Sequence, residues 1–210
     1  MKKNLIGQIA WVFSLQYYVI QIICGAAWTY GFSWTHNTIS DLGNTVCGQY
    51  GDRFVCSPYY SLMNGSFVVL GVTTIVGAVL IAKSFSKSRP YYLGFSCMVL
   101  SGAGTIVVGL FPENTISVGH ITGAALAFVA GNIGMILIGL AQKGRKMPSS
   151  LRIYSISSGI IGIIGLTLFI AQIDIGLGLG SMERIASYPQ SIWMFVIGTY
   201  LLIKSIKARA

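Results

Sequence analysis

Long apolar runs separated by short polar links divide the chain into six segments, near residues 5–29, 59–82, 91–111, 117–141, 153–172 and 189–206. Each supplies about 20 predominantly apolar residues, the length a membrane-spanning helix needs. The pattern predicts an all-α, polytopic six-helix bundle, with residues 1–210 forming one domain. No internal repeat or low-complexity linker divides it. The first run exceeds the roughly 7–15 apolar residues of a secretory signal and more runs follow it, so it reads as a retained helix. Trp28, Tyr30, Tyr59, Tyr60, Tyr91, Tyr92, Tyr188 and Trp193 fall near run ends, as an interfacial aromatic belt would place them.

Within the runs, small and polar residues keep helical spacing. Gly119, Gly123, Ala127 and Gly131 recur every fourth position, a seam that lets another helix approach closely, and Gly159, Gly162 and Gly165 repeat the device. Such faces also suit a homo-oligomer or a membrane-protein partner. Ser14, Tyr18, Gln21 and Gly25 share one face of the first run, and a polar stripe of this kind belongs inside the bundle as interhelical hydrogen-bond glue.

Charge adds an orientation. Only 9% of residues are charged, against about 25% in soluble domains. Twelve of the fourteen basic residues lie on one side of a six-span topology: Lys2 and Lys3, Lys83, Lys87 and Arg89, Lys143, Arg145, Lys146 and Arg152, and Lys204, Lys207 and Arg209. The positive-inside rule makes that side, with both termini, cytoplasmic in a plasma membrane. All five acids, Asp41, Asp52, Glu113, Asp174 and Glu183, fall on the other side, accompanied by Arg53 and Arg184 alone. The net charge of +9 is therefore topological, and nucleic-acid binding loses its main support. No charged residue falls near the middle of an expected span, which counts against proton-coupled transport.

Candidate chemistry gathers in the extracytoplasmic links. The first contains His36, Asn37, Ser40 and Asp41, in which Thr38 and Asp41 have capping-box spacing and Gly43 suits a helix end. Glu113 and His120 lie seven apart, on one face if the helix begins early enough to include both. Glu183 and Arg184 follow, with Arg184 the expected partner for a carboxylate. Ser40, His120, Asp41 and Glu113 are the ingredients of acid–base or nucleophilic catalysis, and His36, Asn37, Gln21, Glu183 and Arg184 are candidate ligand contacts. His36, His120 and Asp41 are the metal candidates by composition, yet no motif specifies a metal, a haem or any other cofactor. Cys47 and Cys56 are expected to form a disulfide closing a hairpin, whereas Cys24 and Cys97 sit in apolar runs as small hydrophobes. Asn64-Gly65-Ser66 matches a glycosylation sequon but starts inside the second run.

Asn37-Thr38-Ile39-Ser40-Asp41-Leu42-Gly43, Cys56-Ser57-Pro58 leading to Met63-Asn64-Gly65-Ser66-Phe67, Gly109-Leu110-Phe111-Pro112-Glu113, His120, and Met182-Glu183-Arg184-Ile185 with Trp193 resemble a family of six-helix prokaryotic membrane proteins known as domain of unknown function 998, DUF998. The resemblance covers nearly the whole chain and puts Ser40, Asp41, Pro112, His120, Glu183 and Arg184 at characteristic positions. It implies a six-helix membrane protein and carries no activity. Three functional readings fit: a protein that binds or processes a lipid or lipid-like molecule in an outward-facing pocket, as a membrane-embedded hydrolase in its enzymatic form; a non-catalytic sensor or accessory subunit; and, last, a small-molecule transporter.

Overall fold

A computed structural model describes residues 2–29, 31–51, 53–82, 88–141 and 147–208. Tyr30, Asp52, Lys83, Lys87, Lys143, Arg145, Lys146 and Arg209, used above for the belt and the charge count, lie outside the described residues. Helix α1 (Lys2–Val12) runs through a 3-10 turn, Phe13–Leu15, into α2 (Gln16–Ala26). A long link then carries a 3-10 turn, Ser40–Gly43, and a hairpin of β1 (Cys47–Tyr50) and β2 (Arg53–Cys56). Helices α3 (Tyr60–Ile81), α4 (Arg89–Leu110), α5 (Ser117–Ala141), α6 (Ser149–Ile170) and α7 (Leu179–Lys207) complete it. Packing runs α1–α3–α4–α5–α6–α7 and back to α1, a ring of six rods.

Five of the rods are long and apolar enough to cross a membrane: Asn4–Ala26, α3, α4, α5 and α6. The chain is a multi-pass integral membrane protein. The run expected at 189–206 belongs to a longer helix, α7, which is not among those five. Its polar content has a local explanation. The stripe on the first rod faces it: Ser14 and Tyr18 hydroxyls donate to the Ser191 and Tyr188 carbonyls, and the Tyr188 hydroxyl donates to Gln21. Gln190 meets Ser101 of α4 at 2.7 Å, and Trp193 donates to Ser155 of α6 at 2.7 Å. A helix enclosed by protein needs no uniformly lipophilic surface, because its polar groups find partners on neighbouring rods.

The seam on α5 packs against α4. A Cβ on Gly104 would meet the Gly123 carbonyl at 2.5 Å and the Ala127 amide at 2.6 Å, so the two backbones touch there. On α6, Gly159 and Gly162 pack against Asn132 of α5, but Gly165 meets Ile185 and Ala186 of α7. Helix α6 thus leaves α5 for α7 towards the hairpin end, and a wedge opens between α5 and α6.

The run-end aromatics divide between the surface and the core. Tyr59, Tyr60 and Tyr92 are exposed, whereas Trp28, Tyr91 and Trp193 are buried in the core. Trp193 packs on Trp11, and Tyr91 on Phe95. Hydropathy cannot tell a lipid-facing aromatic from a core one when both surroundings are apolar.

Cys47 and Cys56 are paired across the hairpin and bonded to each other. They lie nine positions apart, and closing a loop of that size in the unfolded chain stabilises by about 2.5 kcal/mol on the chain-entropy account. Reduction is expected to lower the melting temperature in detergent while leaving the helical circular-dichroism signal at low temperature intact. An unchanged melting curve would show that the hairpin holds its register without the bond.

Candidate functional site

The Asn37–Gly43 segment is built as a reciprocal cap. The Thr38 amide donates to Asp41 Oδ2 and the Asp41 amide donates to Thr38 Oγ1, both at 3.0 Å. This is the capping-box arrangement with aspartate in the third position. Ser57 then donates to the Leu42 carbonyl at 2.7 Å and Asn64 to the Gly43 carbonyl at 2.8 Å, fixing the turn on α3. The Asn64 amide of the apparent sequon is therefore engaged inside the fold.

Asp41 is fully buried. Besides Thr38 it accepts from Asn37 Nδ2 at 3.2 Å and from Arg53 Nε and Nη2 at 2.8 and 2.7 Å. Among the described residues Arg53, and not the expected Arg184, is the cation in a salt bridge with a carboxylate. The hairpin causes this, because pairing Tyr50 with Arg53 returns the chain over the turn and lays the guanidinium on Asp41. The signal in the sequence was that Arg53 stands almost alone among the acids of its side. Arg184 instead donates through Nη1 to the Asn37 and Gly180 carbonyls at 2.7 and 2.8 Å and stacks over Trp34. Gly180 permits that junction, because a Cβ there would overlap the Asn37 carbonyl oxygen.

Glu113 lies in the turn before α5, which begins at Ser117, so it shares no helix face with His120. It accepts from Asn44 Nδ2 at 3.2 Å, while its carbonyl takes the Tyr50 and Ser117 hydroxyls. Asn44, Tyr50 and Asn114, which holds Thr45 through two hydrogen bonds, stitch the hairpin to this turn. Sequence reasoning missed all three, since side-chain amides and phenols in loops carry no distinctive spacing.

Ser40, His120 and Glu183 meet at the centre. Ser40 Oγ lies 3.0 Å from His120 Nε2 and 2.9 Å from Glu183 Oε1, and the Ile39 amide donates to Glu183 Oε2. His120 Nδ1 is 2.8 Å from the Phe111 carbonyl. A carbonyl only accepts, so Nδ1 carries hydrogen. One hydroxyl hydrogen cannot serve both Nε2 and Glu183. A further proton therefore sits either on Glu183, which then donates to Ser40, or on Nε2.

These groups head a cavity of about 340 Å³ in the α5–α6 wedge. Thr38, Ser40, Arg53, Glu113, His120 and Glu183 form its polar end, and Phe128, Leu166 and Phe169 are among its apolar walls. Exposed Ile121, Ala125 and Ile170 form its lip on the bundle flank. A smaller void of about 40 Å³ continues inward between Phe67, Leu70, Val108 and Met194, sharing Ser40, Ala124, Phe128 and Glu183 with the first.

The remaining candidates stand apart. His36 is exposed and bonds to Ser33 and Thr35, and Gln21 holds Tyr188. Among the described residues no group of three or more histidines, cysteines, aspartates or glutamates is placed to hold a metal ion, so the His36, His120 and Asp41 set does not assemble.

Burial raises the Asp41 carboxyl, but the hydrogen bonds and charge of Arg53 outweigh it and hold it below its ordinary 3.8. Burial, then the neighbouring Asp41 charge, push Glu113 from 4.5 to about 8. Between those values the folded protein keeps a proton on Glu113 that the unfolded chain has lost. That contribution to stability is complete below pH 4.5 and disappears as pH rises to about 8. Asp41 works oppositely: its contribution is present above 3.8 and is lost as pH falls through its depressed folded value. The melting temperature in detergent is thus expected to peak at mildly acidic pH. Glu113→Gln should flatten the decline above the peak, and an undiminished decline in that variant would place the proton elsewhere.

No curated protein and no solved structure matches the chain. Residues 12–200 match the family described as "Protein of unknown function (DUF998)". With a match of that extent, the chain belongs to the DUF998 family.

Proposed function

We propose that this protein binds a lipid or lipid-like amphiphile, which enters sideways from the bilayer through the α5–α6 wedge and places its polar group at Ser40, His120, Glu183 and Arg53. The observation that carries the reading is the shape of the cavity: a polar end buried in the bundle, apolar walls, and a lip of Ile121, Ala125 and Ile170 on the flank a bilayer would cover. Binding sites of small molecules combine mostly apolar lining with a few convergent polar groups in this way. The volume of about 340 Å³ suits a head group and the first part of a chain, the remainder lying in the bilayer.

We assign the hairpin end to the extracytoplasmic face of the plasma membrane, on Arg89, Arg152, Lys204 and Lys207 near the opposite helix ends and on the Cys47–Cys56 bond, of a kind that persists in oxidising compartments. Asp41 has its oxygens committed to Arg53, Asn37 and Thr38, which favours a role in shaping the cavity, as in a sensor or accessory subunit, over one in proton transfer.

Photo-crosslinking in nanodiscs containing a diazirine-tagged phospholipid tests the reading. Adducts are expected to concentrate on peptides bearing Ile121, Ala125 and Ile170, and Ala125→Trp, which narrows the lip from an exposed position, should reduce them about fivefold or more without changing the melting temperature. Adducts spread evenly over the lipid-facing sides of all the rods would mean ordinary annular contact and would defeat the proposal.

A further inference from the structure

We infer that Ser40 is a nucleophile that accepts the acyl group of an ester-bearing amphiphile held in this cavity, with His120 as its base. The inference rests on the binding reading above and names its substrate class. Three features of the geometry support it. Ser40 Oγ is 3.0 Å from His120 Nε2, within the reach a nucleophile and its base require. The hydrogen bond between His120 Nδ1 and the Phe111 carbonyl fixes the ring so that, when neutral, its bare nitrogen is the one facing Ser40. A backbone carbonyl thereby takes the orienting part played by a carboxylate in the serine–histidine–aspartate triad. Third, Ser40 and Glu183 both line the flank cavity and the inner void, and Ser40 is half-buried where His120 and Glu183 are buried. Of the three residues, Ser40 is the most exposed.

The proton count at this centre sets the working state. With the extra proton on Glu183, that acid donates to Ser40 Oγ and Ser40 donates to His120 Nε2. The Ser40 proton then passes to Nε2 as Oγ bonds the ester carbonyl carbon. The positive charge of Arg53, in the same cavity lining, favours the oxyanion that develops. The ester C–O bond breaks and the departing alcohol takes the proton from Nε2. Water then gives one proton to Nε2, its hydroxide bonds the acyl carbon, the Oγ–C bond breaks, and Ser40 recovers its proton as the carboxylic acid leaves. Nothing is oxidised or reduced.

The test uses the whole protein in nanodiscs with a long-chain alkyl fluorophosphonate, which bonds an activated serine as fluoride departs. Peptide mass spectrometry of the unmutated protein should find the phosphonate on Ser40. Ser40→Ala should abolish the adduct, and His120→Ala should slow it by about 100-fold or more, the scale of general-base catalysis. Gly65→Ala, at an open position that lines neither cavity, should leave the adduct unchanged. A purely structural cluster would yield no adduct in any of these proteins. An unmodified Ser40 in the unmutated protein, or an adduct confined to another residue, overturns the inference whatever the variants do. Crosslinks at the α5–α6 lip without a Ser40 adduct would end the reaction and leave binding standing; loss of both would end both.

Discussion

Replacing Asp41 with alanine is expected to cost about 3–5 kcal/mol, the range for removing one partner of a buried ion pair. In a chain of this size that corresponds to a fall in melting temperature of about 6–20 °C. The carboxylate is wholly buried and receives the Arg53 guanidinium, the Asn37 side chain and the Thr38 amide. Without it the Thr38 amide and the Asn37 amide group lose their acceptor, and Arg53 loses its counter-charge. The arginine side chain is 30% exposed, so water relieves part of that loss and draws the value towards the lower bound. Arg53→Ala should be comparable, because it leaves the carboxylate buried with only neutral donors. The double variant should lose clearly less than the sum of the two. Strict additivity in thermal unfolding in detergent would show that the pair does not act as a unit.

Gly180→Ala should be as severe through a different mechanism. The new methyl would overlap the Asn37 carbonyl oxygen, which is backbone and also receives Arg184 Nη1. Overpacking costs about 1–3 kcal/mol where side chains yield, and more where they cannot. Here relief requires moving the start of α7 away from the Asn37–Gly43 segment, which pulls Glu183 from Ile39 and Ser40. Gly65→Ala, where a Cβ would meet nothing within 4 Å, is the matched control and should be nearly neutral. Equal melting temperatures for the two variants would mean that the junction is looser than its geometry implies.

Features of this fold that depend on local spacing were legible in the sequence. The three-residue interval between Thr38 and Asp41 became a reciprocal cap, and the nine-residue interval between Cys47 and Cys56 a closed hairpin. The small-residue seam and the polar stripe both turned inward, because helical periodicity places such residues on one face. What depends on partners distant along the chain was not legible. The Asp41–Arg53 pair is set by strand register, and charge alone pointed to Arg184. The extent of α7 was hidden because Glu183, Arg184 and Gln190 depress the hydropathy of a helix whose polar groups are met by neighbouring rods. The wedge arises from α6 exchanging one neighbour for another at Gly165, an event without a sequence signature.

The contact between the Ile39 amide and Glu183 spans 144 positions, and it has a consequence for biogenesis. The hairpin can oxidise as soon as residues 47–56 reach an oxidising compartment, because both cysteines lie in one short link. The polar centre has to wait until the ribosome has made α7, since Glu183 and Arg184 arrive within the last helix of the described chain. During synthesis the Ile39 amide and the Ser40 hydroxyl face water or lipid head groups without their final partner. Nascent chains arrested before residue 179 should therefore carry the disulfide and insert their earlier helices, yet hold no amphiphile. Assembly of the cavity would be a late checkpoint that only a finished protein passes.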